Sequence, residues 1–500
     1  MKLSFIVLFL YALVSTTFSQ TKLDSLVSIG NEQSFQFQFK QANRTFETII
    51  QLYPESSQGY YFISRNALWL YLANKDSVSK NNYLKNIAIA KTKGELELDN
   101  FSEDAEVNYN LGNIFFLESI YNSTEQNTMD AFWATKSAVN YFEDAIEYNP
   151  NNYAPYLPLG TIKYALGFVP GFLGWAISVA GLEGEKHEGF SNVRVAFGKC
   201  KNCKTEAAYH LGKLYTEYNA MYDSAEVLLS KIVSEYPQNE LFLYQYAILQ
   251  IDKKNLNSAL NLLNKILLKN SSPKFYGTYA LSFFLKGEIY FKQSKFNEAI
   301  IEYEQFITRT NSPDYTGIAN LKIAISYEML DEKLNAQRHY ILARNGNNNI
   351  AEDSNAEELS KNYYDHKFTI NDKLLIDGKN LFEAGKYSEA IESLQKIDSE
   401  NVSAELFFNL SIVKIDSYQR LNKYKKSSEI INKYLDNSEI VEFAEYAKYL
   451  YLSAYQKYNE GKIDDAKEVL EQAFDSINEQ NNKLKRLLVN LSLKLATNGK

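Results

Sequence analysis

The sequence predicts an all-α fold: a right-handed superhelical solenoid of antiparallel helix pairs, in about eleven repeats with two expanded hairpins. Three observations predict it. A spacing of small and aromatic residues recurs with a period of about 34, the length of a helix–turn–helix repeat. Only 8 Pro and 21 Gly interrupt 500 residues, which suits helices joined by short turns. Two cysteines cannot supply a disulfide framework, so buried apolar side chains must hold the fold.

At the N-terminus, Met1-Lys2 precedes an apolar run from Phe5 to Val14, then Ser15-Thr16-Thr17-Phe18-Ser19-Gln20. A positive start, a short apolar core and small residues before a cleavage point make a secretory signal over 1–19, cleaved near Ser19. The run is about ten residues, too short for a bilayer span of about 20. The mature chain is therefore expected to be periplasmic or secreted.

The clearest repeat runs from Leu281 to Arg309. Phe283, Gly287 and Tyr290 fall on its first helix, Phe296 in the turn, and Ala299, Tyr303 and Phe306 on its second. Gly287 and Ala299, twelve apart, are read as the small pair that lets the two helices cross closely. Larger residues at spacings of three and four bury the remaining stripe. The same spacing recurs at Gly30/Ala42, Ala247/Ala259, Ala324/Ala336, Gly378/Ala390 and Ala454/Ala466. Gly212/Ala225 forms a unit with one extra residue in its turn. Pro54, Pro150 and Pro237 each fall twelve after the small residue of a second helix, where Pro ends the helix.

This spacing resembles the tetratricopeptide repeat. Two units are expanded, at 105–150 and 153–200. In the first, Gly112 is followed by Ala138 fourteen residues later than the repeat requires. The second contains Tyr164 to Leu182 without a charge, and then Glu183-Gly184-Glu185. That uncharged stretch with Pro170, the acidic motif after it and the expanded hairpin before it resemble the tetratricopeptide repeat protein 39 family. The likeness covers roughly 60–345, and its distinctive part is 105–240. It implies a non-enzymatic adaptor with no catalytic residues to carry over. The signal sequence and the Cys200/Cys203 pair depart from that family.

After Arg344, the run Asn345-Gly346-Asn347-Asn348-Asn349 and an acidic stretch predict a polar linker over 346–359. It divides an N-terminal array, 20–345, from a C-terminal array, 360–500. Leu484, Leu487, Leu488, Leu491 and Leu495 place one apolar face on a capping helix over 480–497. A solenoid's last repeat needs such a cover.

Chemistry-bearing residues are few. Cys200-Lys201-Asn202-Cys203 is read first as a local disulfide or free thiols in an interhelix turn. A redox pair is the next reading, and half of a zinc site with His187 and His210 the third. Nucleotide, phosphate-loop, serine-hydrolase and metalloprotease motifs are absent, so neither a catalytic residue nor a cofactor is expected. Net charge is −8 with both signs interleaved, which argues against nucleic acid. Aromatic residues on first-helix faces, namely Tyr209, Tyr244, Phe284, Phe291, Tyr451, Tyr455 and Tyr458, are the candidates for a peptide-binding groove.

The reading that fits best is a non-catalytic protein-interaction scaffold of the cell envelope that binds a polypeptide partner in its concave groove. Two rivals stand beside it. One is a thiol redox or metal-handling protein using Cys200 and Cys203, and the other a membrane-associated assembly factor using 164–182.

Overall fold

The computed structural model describes residues 22–167, 186–268, 275–365, 368–397, 402–435, 437–478 and 481–498. The expected signal over 1–19 and positions 168–182 of the uncharged stretch lie outside them. The described residues hold 24 α-helices and no strand. None of these helices is long and apolar enough to cross a membrane.

Twenty-two of the helices form eleven consecutive hairpins. In chain order they begin with α1 (22–35) and α2 (Phe39–Leu52), α3 (Gln58–Asn74) and α4 (Ser77–Asn100), and α5 (Ala105–Thr124) and α6 (Thr128–Tyr148). Next are α7 (Tyr156–Leu166) and α8 (Lys186–Lys199), α9 (Lys204–Glu217) and α10 (Tyr222–Glu235), and α11 (Glu240–Asp252) and α12 (Leu256–Leu267). Then come α13 (Tyr276–Lys292) and α14 (Phe296–Arg309), and α15 (Thr316–Met329) and α16 (Lys333–Ala343). A single helix, α17 (Ala351–Asp365), precedes α18 (Ile370–Glu383) and α19 (Tyr387–Leu394). The array ends with α20 (Ala404–Arg420) and α21 (Tyr424–Ile431), α22 (Tyr446–Asn459) and α23 (Ile463–Ser476), and the unpaired α24 (Asn482–Asn498).

The ten hairpin turns that lie wholly among the described residues share one backbone device. A residue two places before the second helix has φ between +47° and +78°: Phe37, Lys75, Gln126, Ala220, Lys254, Ser294, Asp331, Gly385, Asn422 and Gly461. The next residue commonly donates its N–H to a carbonyl five positions back, as Lys295 does to Tyr290 and Lys462 to Lys457. That closes the first helix in a left-handed C-cap and turns the chain back.

Within a hairpin, the glycine of the first helix receives a large side chain of the second. A Cβ at Gly287 would lie 2.7 Å from the Tyr303 ring, and one at Gly378 would lie 2.3 Å from Leu394. Gly30 meets Phe46 in the same way. These pairs are sixteen apart. Gly212 meets Leu229, seventeen apart, through its one extra turn residue, and Gly112 meets Phe142, thirty apart, through the fourteen extra residues of α5 and α6. The expected opposition of Gly287 and Ala299 is therefore corrected. Ala299 is fully buried, but the glycine makes room for the ring one helical turn further on.

The expected linker is a second correction. Residues 351–359 of it are helical, in α17, and Asp353, Ala356 and Ser360 are buried. The Asp353 carboxylate accepts N–H groups from Ile318 (2.9 Å) and Asn347 (2.8 Å). It thus satisfies the open N-terminal end of α15. Composition read this acidic stretch as solvated, whereas its carboxylate is consumed by backbone donors.

The described residues fall into two compact units. The first lies within Met1–Gly212, Val227–Phe242 and Ser271–Tyr276, and the second within Lys213–Glu226, Leu243–Asn270 and Gly277–Lys500. The first closes on itself: Tyr236 Oη donates to Glu32 (2.8 Å), and the Asn239 amide donates to the carbonyl of Phe35 (3.0 Å). The second does so through α24. Leu484, Leu488, Leu491 and Leu495 join the core of α22 and α23. On α24, Arg486 reaches Asp252 (2.8 Å) and Asn490 reaches the carbonyl of Asn219 (3.0 Å).

Candidate functional site

First-helix faces of the first unit converge on a cavity of about 1070 Å³. Asp24, Asn31 and Phe35 come from α1, and Tyr61, Phe62, Arg65 and Trp69 from α3. Glu106, Tyr109, Asn110 and Asn113 come from α5, Leu157 and Thr161 from α7, and Glu206 and His210 from α9. Every contributing hairpin thus presents its first helix, and second helices add only Thr135 of α6 and Lys199 at the end of α8. The volume lies just above the usual range for ligand pockets, about 300–1,000 Å³.

Arg65 is the group at this site that the fold itself leaves least satisfied. It is 5% exposed. Its guanidinium donates to Asn31 Oδ1 (2.8 Å) and lies 4.9 Å from the Phe62 ring and 4.7 Å from the Trp69 ring. Its Nε has no partner, and among the described residues no carboxylate is within ion-pair reach of it. Phe62 and Trp69 precede and follow it by three and four residues, so one helical face stacks both rings on the cation. A buried cation without a counter-ion costs on the order of several kcal/mol.

The opposite charge is present elsewhere in the lining. Enclosure by protein, and then the negative charges of Asp24 and Asp104, push the Glu106 carboxyl up to about 7. Burial pushes the Tyr61 hydroxyl up to about 12, against the lowering influence of Arg65. Tyr109 is raised further, also by burial first.

None of the seven aromatic groove candidates lines this cavity. Tyr209 belongs to α9, beside the lining residue His210, and its ring packs 5.3 Å from Phe242. Tyr244 is half-buried on α11. Phe284 packs against Tyr303, Phe306 and Tyr315, and Phe291 is buried against Phe296 with Lys322 over its ring. Tyr451 is buried and stacks on Tyr455, and Tyr455 and Tyr458 pack against the core of α22, α23 and α24.

In the second unit, side chains of first helices are tied to one another. Asp416 bridges Lys448 (2.8 Å) and Arg420 (3.2 Å), while Glu383 is shared by Lys483 (2.9 Å) and Lys292 (3.5 Å). The lysine charges around Glu383 hold its carboxyl well below the usual range despite its burial. Lys254, in the turn after α11, donates to the Phe382 carbonyl (2.6 Å) and lies 3.4 Å from that ring. Burial pushes its ammonium down to about 7.

Cys200 and Cys203 form a disulfide across the turn from α8 to α9, and both line the cavity of the first unit. With both sulfurs bonded to each other, neither is a thiolate ligand. His187 is exposed on α8, His210 lines the cavity, and no group of three metal-ligating side chains occurs among the described residues.

Sequence reasoning missed Arg65, Asn31, Asn110, Asn113 and Glu106. The signal was available for Arg65, a cation at i+3 from Phe62 and i−4 from Trp69. It sits near 58–93, which with 404–436 follows the repeat spacing most poorly.

Helical hairpins stacked so that first helices surround a ligand-sized space define a repeat protein of the interaction type. Tetratricopeptide repeat family models match residues 218–281 and 280–312, so the chain carries tetratricopeptide repeats within an all-α solenoid. Such repeats indicate a protein-interaction scaffold. Among solved structures the chain is similar to the tetratricopeptide repeat domain of P58(IPK), at 16% identity, covering 76% of this chain and 99% of that one, with a TM-score of 0.22. It is also similar to the Cut9–Hcn1 hetero-tetramer of the APC/C, at 13% identity, covering 95% and 98%, with a TM-score of 0.27. No curated protein matches it significantly, and the finer likeness to the tetratricopeptide repeat protein 39 family is not confirmed by these comparisons.

Proposed function

We propose that the chain is a non-catalytic scaffold of the cell envelope that binds a polypeptide segment in the cavity of its first unit. The observation that carries this reading is the convergence of five first helices on about 1070 Å³ of space. Aromatic rings there supply contact area at low entropic cost, and the amides of Asn31, Asn110 and Asn113 offer donors and acceptors suited to a peptide backbone. The signal-like start and the Cys200–Cys203 disulfide support export to an oxidising compartment.

Affinity capture from the native envelope tests the site. Asn110→Arg and Asn151→Arg place bulk and charge in the cavity lining without touching the fully buried core. Leu334→Arg does the same at a side chain of α16 that is 84% exposed. Both cavity variants should lose the partner by at least tenfold at unchanged melting temperature, and Leu334→Arg should retain it. Equal capture by all three would remove the cavity from the account.

A further inference from the structure

The cavity of the first unit contains a buried cation without a counter-ion and a pair of solvent-exposed carboxylates. At α3, the Arg65 guanidinium is buried against the Phe62 and Trp69 rings, its neutral partners are Asn31 and the Tyr61 hydroxyl, and its Nε is unpartnered. A buried cation in that condition is stabilised by an incoming carboxylate, which accepts from a planar guanidinium in a bidentate geometry. At α1 and α5, the solvent-exposed Asp24 and Glu106 line the cavity, the Asp24 charge adds to the cost of ionising Glu106, and no described cation pairs with either. Asp104, at the N-cap of α5, adds a third negative charge, though its carboxylate is occupied by the N–H groups of Glu106 and Val107. Glu206 on α9 lines the same space, with Lys199 and Lys201 at the turn beside it.

We infer that the peptide segment bound in this cavity carries both charges, a carboxylate received by Arg65 and a cationic group received by Glu106 and Asp24. The inference rests on the cavity being the binding site and adds what that site selects. A purely acidic segment meets Asp24, Glu106 and Glu206, and a purely basic one meets Arg65. Either forms one pair and sets a like charge beside the other group, which offsets part of what that pair returns. A mixed segment pairs both. The aromatic surfaces of Phe35, Tyr109 and Phe116 take the apolar residues between or beside the charges.

The test uses the full-length mature chain and capped heptapeptides, acetylated and amidated so that termini carry no charge. One set has a Glu and a Lys separated by one, two or three residues. Others keep only the Glu, only the Lys, or neither, with Gln in the vacated places. Calorimetry gives Kd, and the fluorescence of Trp69, beside the guanidinium, reports occupancy. At least one mixed-charge spacing should bind ten times or more tighter than either singly charged peptide. Arg65→Gln should abolish the advantage conferred by Glu, and Glu106→Gln should reduce that conferred by Lys, while each keeps the other. Equal affinity across the four peptide types, or no binding of any, overturns the inference. Asn110→Arg separates it from the reading beneath it. If native partner capture still depends on the cavity while the peptides do not discriminate, the site stands and its charge selectivity falls. If Arg65→Gln unfolds the chain, Arg65→Lys with a Glu-containing peptide carries the same comparison.

Discussion

Gln126 shows at the scale of one residue how the hairpin turns are made. It holds φ at 61° in the turn from α5 to α6, its side chain is exposed, and its N–H is taken by the Ser123 carbonyl. An L side chain there pays about 1–2 kcal/mol for the left-handed region, which glycine does not. Gln126→Gly, after the added entropy of the unfolded chain, should stabilise by about 0.5–1 kcal/mol, read as a higher denaturant midpoint. A lower midpoint would mean that the turn conformation is not the one described. Eight of the ten left-handed positions are not glycine, so the sequence does not announce them. Only Gly385 and Gly461 do. Arg65 was legible only in part: its spacing from Phe62 and Trp69 stands in the sequence, but Asn31 joins them only when the hairpins fold around one cavity.

Elements are held by the glycine-to-ring contacts and, at one place, by a buried carboxylate. Gly287→Ala gains about 1 kcal/mol of helix propensity. It also drives a Cβ to 2.7 Å from the Tyr303 ring, which is buried and donates from its hydroxyl to Glu288 (2.5 Å). Overpacking of this kind costs about 1–3 kcal/mol, so the variant should lose stability, by about 1–2 kcal/mol in chemical denaturation. A gain would show that α13 and α14 adjust freely. The period was legible because glycine and aromatic residues alternate at a fixed distance. Their true opposition was not, since Tyr303 and Ala299 lie one turn apart on the same face of α14. Asp353 makes a second test. Asp353→Ala leaves the Ile318 and Asn347 donors without their acceptor and should cost about 1–3 kcal/mol. Amide exchange should rise first at the N-terminus of α15. Unchanged exchange there would return 346–359 to the status of a linker. Asparagine-rich and acidic sequence hides such a helix because polarity, read alone, means solvent.

At the scale of the whole molecule, the two units use their first helices differently, and pH distinguishes them. Lys254 in the second unit has its ammonium pushed down to about 7 by burial, against an ordinary value of 10.5. Between those values the unfolded chain binds the proton and the folded chain does not, so its contribution to stability rises with pH. Below 7 both forms are charged and the full cost of burial is present. The wild-type chain should therefore gain more melting temperature than Lys254→Met between pH 7 and pH 9.5. Parallel pH profiles would place the lysine in water. Inward aromatic residues of the second unit were legible from helical spacing but belong to its core. The cavity arises instead where α1, α3, α5, α7 and α9 of the first unit leave space among charged and amide side chains. Site-specific photo-crosslinking tests that claim most directly, with a benzophenone amino acid at Asn110 in the cavity or at Leu334 on α16. In living cells the Asn110 probe should yield one discrete crosslinked polypeptide, lost on Arg65→Gln, and the Leu334 probe none. The opposite pattern, a partner captured at Leu334 and nothing at Asn110, would contradict the account.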